Sequence, residues 1–457
     1  MKSKKKKTSV TRRDFAKSAL AASSFLIVPR SFLGGAEQPP PSEQFVVAGI
    51  GAGGNMCRHD LRRLIEYGAR VVALADPWEP PEWAGPAKEW RQKYYPDAKI
   101  YRDYRELLDK EKSVDGLAIA TTDNWHAKVS MDGMRAGKSV YTEKPLTRTV
   151  SESRALARAA SKYGVATQMG NNGHAGEWIR LICEHIWDGT IGPVREVHAW
   201  SDRAGTYWPQ GVGRPGETPD VPKQLDWDLW LGPAEQRPYH PIYTRQKWRG
   251  WCDFGAGALG DMGCHILDPV YWALKLGHPK TIESTTTVHP PYVRRETFPT
   301  AALITYQFPS RGDMPPLTIK WYDGGLQPPV PKGFPAGRKL PTNGTIFVGD
   351  RGVMLNEVFQ MPEFLPESLG KDNPTPKKVL PRSVGHHTEW IRAGQGKKVT
   401  CGANFDYSAG LTEFVLLGTI ASRVAERLEW DGENMRITNH EEADAMLHHK
   451  YREGWEL

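Results

Sequence analysis

At 457 residues the chain exceeds what one hydrophobic core usually holds, so two domains are expected. Its formal net charge of +7 points to nucleic acid only until the charges are located: residues 1–36 hold nine lysines and arginines against Asp14 alone. Residues 37–457 are therefore close to neutral, and a nucleic-acid partner is excluded.

Those first residues read as an export signal. A basic start leads into Thr11-Arg12-Arg13-Asp14-Phe15-Ala16-Lys17 and then a weakly apolar run from Ser18 to Pro29. The run is too short for a membrane span of about 20 residues. Paired arginines before a phenylalanine resemble the twin-arginine signal, which carries folded proteins across the bacterial inner membrane. The expectation is a signal peptide over 1–36, a periplasmic location, and no membrane anchor once the signal is removed. Gly34-Gly35-Ala36 is a weak cleavage site.

From Gln44 onward, strand and helix alternate. Short apolar runs at 45–49, 71–75, 117–120, 139–142 and 165–169 read as buried strands. Helical stretches at 54–67, 84–94, 103–110, 126–136 and 151–163 lie between them. This alternation predicts right-handed βαβ units on a doubly wound parallel sheet. After about residue 170 the pattern becomes period-2 runs at 194–200, 281–289, 301–308, 317–322 and 345–349, which favours a mostly antiparallel sheet. Helices are expected at 174–187, 258–276 and 408–428, with long Pro/Gly-rich connections at 202–223, 324–343 and 361–382. The fold class is thus α/β, with domains at 43–170 and 171–457. Cys57, Cys183, Cys252, Cys264 and Cys401 form neither a disulfide framework nor a metal-ligand spacing, so buried thiols and no metal are expected.

Gly49-Ile50-Gly51-Ala52-Gly53-Gly54 satisfies G-x-G-x-x-G between a strand and a helix, and Asp76 ends the next strand. The expected roles are a tight turn at Gly49, close approach to a pyrophosphate at Gly51, and helix–strand packing at Gly54. A carboxylate at Asp76 accepts hydrogen bonds from ribose hydroxyls and repels a 2′-phosphate, which favours NAD over NADP. Thr121, Thr122 and Asn124 follow another strand on the same ligand edge and are candidates for cofactor contacts. His126 is a candidate there too, or else a brace for the helix beside it.

Glu143-Lys144-Pro145 ends the strand Ser139 to Thr142, again on the ligand edge. Glu143 and Lys144 join the cofactor set, and a lysine beside a cationic nicotinamide is suited to moving a proton. Asp261 and His265 are four apart and share one helical face, so with Lys144 they could surround a substrate hydroxyl and its carbon-bound hydrogen. Trp200, Trp208, Trp227, Trp230, Trp248 and Trp251 crowd one insertion that also holds Asp202, Arg203 and Arg214. Aromatic faces with flanking charges suit a sugar, although tryptophans more often pack irregular loops. His174, Trp208 and Arg203 are the substrate-binding candidates.

These motifs together resemble the Gfo/Idh/MocA oxidoreductase family over roughly residues 44 to 430. The resemblance implies a Rossmann domain followed by a substrate-binding and oligomerisation domain with an open sheet. It implies Lys144, Asp261 and His265 as the catalytic set, and a cis Lys144–Pro145 bond. The function expected is NAD-dependent oxidoreduction of a sugar, polyol or glycoside at a secondary alcohol, with a tightly bound, recycled cofactor and a homo-oligomeric assembly. Two alternatives remain: a glycoside hydrolase working by transient oxidation, elimination and re-reduction, and a non-catalytic sugar-binding protein.

Overall fold

The computed structural model describes residues 43–78, 86–203 and 207–457. The expected signal at 1–36 and the first residues of the helix expected at 84–94 lie outside the described residues. Phe45–Leu457 forms one compact unit.

Six parallel strands make the first sheet: β1 (Val46–Ile50), β2 (Arg70–Ala75), β3 (Lys99–Tyr101), β4 (Gly116–Ile119), β5 (Ser139–Thr142) and β6 (Thr167–Met169). Their order is β3-β2-β1-β4-β5-β6, so the chain reverses direction across the sheet between β1 and β4. The central strands are buried along their whole length, as expected when helices cover both faces. Those helices are α1 (Asn55–Glu66), α2 (Pro86–Tyr94), α3 (Tyr104–Lys110), α4 (Asp123–Arg135) and α5 (Val150–Tyr163). A capping box between Thr149 and Glu152 starts α5, and Gly164 in the left-handed region ends it.

The chain then passes through α6 (Glu177–Trp187) into a nine-stranded sheet. Its strands are β7 (Val194–Trp200), β8 (Thr281–Thr286), β9 (Ala302–Phe308), β10 (Leu317–Tyr322), β11 (Gly344–Gly349), β12 (Val353–Glu357), β13 (Glu363–Leu365), β14 (Leu428–Asp431) and β15 (Arg436–Ile437). Only β7 and β10 pair in parallel; the other pairs are antiparallel. The helix expected at 258–276 is two helices, α7 (Gly257–Ile266) and α8 (Asp268–Ala273). They break at Leu267 because Pro269 has no N–H to continue the ladder. Further on come α9 (His386–Gly394) and α10 (Phe405–Val424). The expected run to 428 stops at Ala425, which has φ +57°, and Leu428 already belongs to β14. All five cysteines are free and buried.

The nearly all-buried α10 joins the two halves by packing against α5, α7, β8 and β9. Its Glu413 is buried and gripped by a forked Arg154, with Nε 2.6 Å from Oε2 and Nη2 2.9 Å from Oε1. His278 meets the same carboxylate at 2.8 Å. Arg154→Met strips the fork from a buried acid, and loss of one partner of such a pair costs about 3 kcal/mol. Urea unfolding should show that loss as a lower midpoint with an unchanged slope.

Candidate active site

The glycine loop turns at the sheet reversal, where a ligand cleft belongs in a doubly wound fold. Gly51 takes φ +82°, and a Cβ there would lie 2.6 Å from the Ala120 carbonyl oxygen. Gly49 lies inside β1, where a Cβ would meet Leu61 Cδ1 at 2.7 Å. The expected roles are therefore redistributed: Gly51 makes the turn expected of Gly49, and Gly49 provides the helix–strand packing expected of Gly54. Gly54 caps α1. Asp76 accepts from Gly53 N at 2.8 Å and from Trp78 N at 3.0 Å, so the carboxylate also holds the loop's shape. Burial pushes its pKa up to about 6. A loop in which a Cβ at Gly51 would collide with the backbone, facing a carboxylate one strand away, fits a dinucleotide.

Lys144 follows β5 across a cis bond to Pro145. Its Nζ donates to the Asp261 carbonyl oxygen at 2.7 Å and to Oδ1 at 3.1 Å, joining the first sheet to α7. Two arginines share the same carboxylate: Arg249 Nε lies 3.2 Å from Oδ1, and Arg203 Nε lies 3.6 Å from Oδ2. Burial alone would raise the Asp261 pKa, but Lys144 and Arg249 outweigh it and hold the carboxyl well below the ordinary range. His265 sits one turn further along α7, with Nδ1 buried and without a hydrogen-bond partner. Burial, then Lys144, pushes its pKa down to about 3, so the imidazole is neutral.

Glu143 faces the other way. It is buried near Asp60 of α1, its Oε1 has no hydrogen-bond partner among the described residues, and a Cβ on Gly170 would collide with that atom. Asp60 Oδ1 lies 3.4 Å from His387 Nε2, whose ring stacks on Tyr141 at 5.3 Å. Burial raises both carboxyl pKa values, to about 7 for Asp60 and about 8 for Glu143. Both carboxyls are thus held toward the protonated form, and the charge of Asp60 adds to burial at Glu143. Glu143 thus lies buried beneath the lysine turn, with Oε2 accepting from Lys144 N at 3.3 Å.

Other candidates are also corrected. His126 is buried and donates from Nδ1 to the Pro145 carbonyl at 2.8 Å, which makes it the brace of the lysine turn. Asn124 donates to the Leu231 carbonyl at 3.1 Å and so anchors the tryptophan-rich insertion. His174 is buried between Trp272 and Tyr407, with Nδ1 3.1 Å from Asp268, and is committed to that network. Trp208 is buried with its Nε1 on Gln210; it packs the insertion. Trp227, Trp230, Trp248 and Trp251 form a core of their own with Tyr243 and Phe254. Thr121 and Thr122 remain partly exposed at the end of β4. Arg203 does reach the cluster. Arg249 and Asp60 were not singled out from sequence.

Two family models match the chain. One, described as an oxidoreductase family's NAD-binding Rossmann fold, covers residues 45–171. The other, described as the C-terminal alpha/beta domain, covers 196–310. Together they span more than half of the chain. Levoglucosan dehydrogenase of Pseudarthrobacter phenanthrenivorans is 26% identical over 167 residues, 36% of this chain and 34% of that protein. Inositol 2-dehydrogenase of Salmonella typhimurium is 34% identical over 119 residues, 26% of this chain and 34% of that protein. The matched stretches thus span about a third of the length of these curated relatives. Among solved structures, the chain is similar to the WlbA dehydrogenase from Chromobacterium violaceum in complex with NADH and UDP-GlcNAcA. That likeness has a TM-score of 0.58 and 14% identity, covering 86% of this chain and 98% of that one. It is also similar to the aldose-aldose oxidoreductase from Caulobacter crescentus complexed with glycerol, with a TM-score of 0.52, 16% identity, and coverage of 85% and 100%. At these identities the structural likenesses establish the fold.

The carboxyl pair under the cleft gives a pH signature. Asp60's folded pKa of about 7 lies above its ordinary 3.8, so its contribution to stability is present below that ordinary value and is lost as pH rises through 7. Asp60→Asn removes this dependence. The stability of the variant relative to wild type should therefore increase from about pH 5 to about pH 8 in parallel denaturant melts. A flat difference would mean that Asp60 does not hold a proton in the fold.

Proposed function

The chain belongs to the Gfo/Idh/MocA oxidoreductase family, and on that premise we propose that it transfers hydride between NAD and a secondary alcohol of a sugar, polyol or glycoside. One observation carries this reading: Lys144 Nζ lies on Asp261, one helical turn before a neutral His265, at the carboxyl edge of the Rossmann sheet. The dehydrogenases among its relatives are consistent with a polyol or sugar substrate.

The first turn of α1, which Gly54 caps, would face the dinucleotide's phosphates with its amides while the glycines let them approach, and Asp76 would hold its ribose hydroxyls. Bound there, NAD supplies the hydride acceptor. His265 is unprotonated and offers a lone pair to the substrate hydroxyl. A ring whose pKa is held at about 3 is a weak base, so it takes the proton only as hydride leaves and the oxygen becomes a carbonyl. Lys144 points its ammonium at the same oxygen, where it stabilises the negative charge that develops as the proton leaves. Asp261 fixes Lys144 through two acceptor atoms and is a positioning residue.

His265→Ala and Lys144→Ala should each lower turnover by roughly two to four powers of ten, and Asp261→Asn by less. NAD binding, followed by quenching of protein fluorescence, should persist in all three. Full activity of both alanine variants would remove the mechanism.

We further propose that the enzyme is exported folded, with its cofactor held from one turnover to the next. The paired arginines Arg12 and Arg13 support this reading. Arg12→Lys with Arg13→Lys should leave the protein in the cytoplasm with its melting temperature unchanged; undiminished periplasmic protein would refute export by this route.

A further inference from the structure

We propose that the substrate is a sugar acid, and that Arg249 and Arg203 bind its carboxylate. This inference deepens the reading above and rests on it for the location of the reacting carbon. Three cations, Lys144, Arg249 and Arg203, converge on the single carboxylate of Asp261. Lys144 alone matches the charge of that carboxylate and bonds its Oδ1 together with the backbone carbonyl. Two further guanidinium groups crowded against it repel each other and the lysine, an arrangement that a second anion would relieve.

The way the arginines are held points to the same conclusion. Neither makes the two-pronged fork that an arginine forms when a carboxylate is its dedicated partner. Arg249 meets Asp261 through Nε only, and its Nη groups have no hydrogen-bond partner among the described residues. Its guanidinium lies 4.3 Å from the centre of the Trp248 ring and 6.0 Å from that of Trp208, so the aromatic faces fix its plane and leave its edge presented. Arg203 lies over Tyr207 at 4.3 Å and gives Nη1 to Asp202. Both side chains keep some exposure, 22% for Arg249 and 26% for Arg203, whereas Lys144 keeps 10%. The arginines therefore line the mouth of the site and the lysine its floor.

The surplus charge selects the class of anion. Asp202 offsets Arg203 and Asp261 offsets Lys144, which leaves Arg249. Asp123 lies behind this group, accepts from Ala256 N at 3.0 Å, and is pushed by burial up to about 7, so it carries only part of a charge. A surplus of at most one positive charge suits a monoanionic carboxylate, and it leaves a phosphate dianion overcharged beside Asp261. A neutral sugar would leave the surplus unanswered.

The test uses the purified full-length protein saturated with NAD, with binding followed by calorimetry. The probes are D-glucuronate against D-glucuronamide and D-glucose, D-galacturonate against D-galacturonamide and D-galactose, and D-glucose 6-phosphate. In at least one sugar series the acid should bind roughly tenfold or more tightly than its amide, the scale of a charge-assisted hydrogen bond. Arg249→Gln and Arg203→Gln should each move that ratio toward one. The proposal is overturned if no acid binds, if the amide matches the acid in both series, if the phosphate ester binds best, or if the preference survives in the double variant. The wild-type comparison decides even if a variant misfolds. NADH formation is scored separately. Acid-selective binding without hydride transfer would sink the oxidoreductase reading and spare the carboxylate site, whereas turnover of neutral sugars without acid preference would do the reverse.

Discussion

The contact between Lys144 and Asp261 is the point on which the cleft depends, because it ties the end of a parallel strand to a helix more than a hundred residues away. At 3.1 Å and an effective dielectric near 20, such a pair attracts by about 5 kcal/mol before desolvation is counted. The desolvation cost is met by geometry on both sides. His126 fixes Pro145 from behind, so the lysine leaves the sheet in one direction. Asp261 presents its backbone carbonyl as well as its carboxylate, so the ammonium spends two donors on one residue and keeps the third for a ligand.

The tripeptide that carries the lysine works because an extended chain alternates its side chains. Tyr141 and Glu143 are two apart and fall on one face, where both meet Asp60 of α1. Thr142 and Lys144 fall on the other. The inward face sets a buried carboxyl near Asp60 on the helix that follows the glycine loop, and the outward face delivers the ammonium. One short strand therefore couples the cofactor half of the protein to the reacting half without a loop between them.

Much of this arrangement was legible in the sequence, and the reason is locality. Strands over 139–142 and 317–322 were read to the residue because a short run of β-branched and aromatic residues settles them. The glycine loop, Lys144 and the Asp261–His265 spacing are likewise written within a few consecutive positions. What escaped was long-range. Asp60 meets Glu143 and His387 only after folding, and the His387 partner is 327 residues away. Arg249 lay in plain view among tryptophans, but its neighbours in sequence said packing, and only the placement of α7 puts Asp261 within its reach. The move of the turn from Gly49 to Gly51, and of the helix packing from Gly54 to Gly49, was missed for a related reason. Which glycine faces the helix depends on the residue at which β1 ends, and that end moved by one.

The same distinction explains why two kinds of carboxyl group coexist around one tripeptide. Burial pushes Asp60, Glu143 and Asp261 in the same direction, toward the protonated form. For Asp261 the cations prevail and the group is ionised. For Asp60 and Glu143 burial prevails and both are pushed toward the protonated form. The cations also act on His265, where their effect adds to burial and keeps the ring neutral. A single positive cluster thus holds the acid charged and the histidine uncharged, the pair of states that a proton-accepting site requires, and it does so by position alone. A charged histidine or a protonated Asp261 would demand that the cluster be dispersed. The arginines that crowd the site are therefore compatible with hydride chemistry, and they place on any substrate the further requirement that it tolerate, or use, a positively charged mouth.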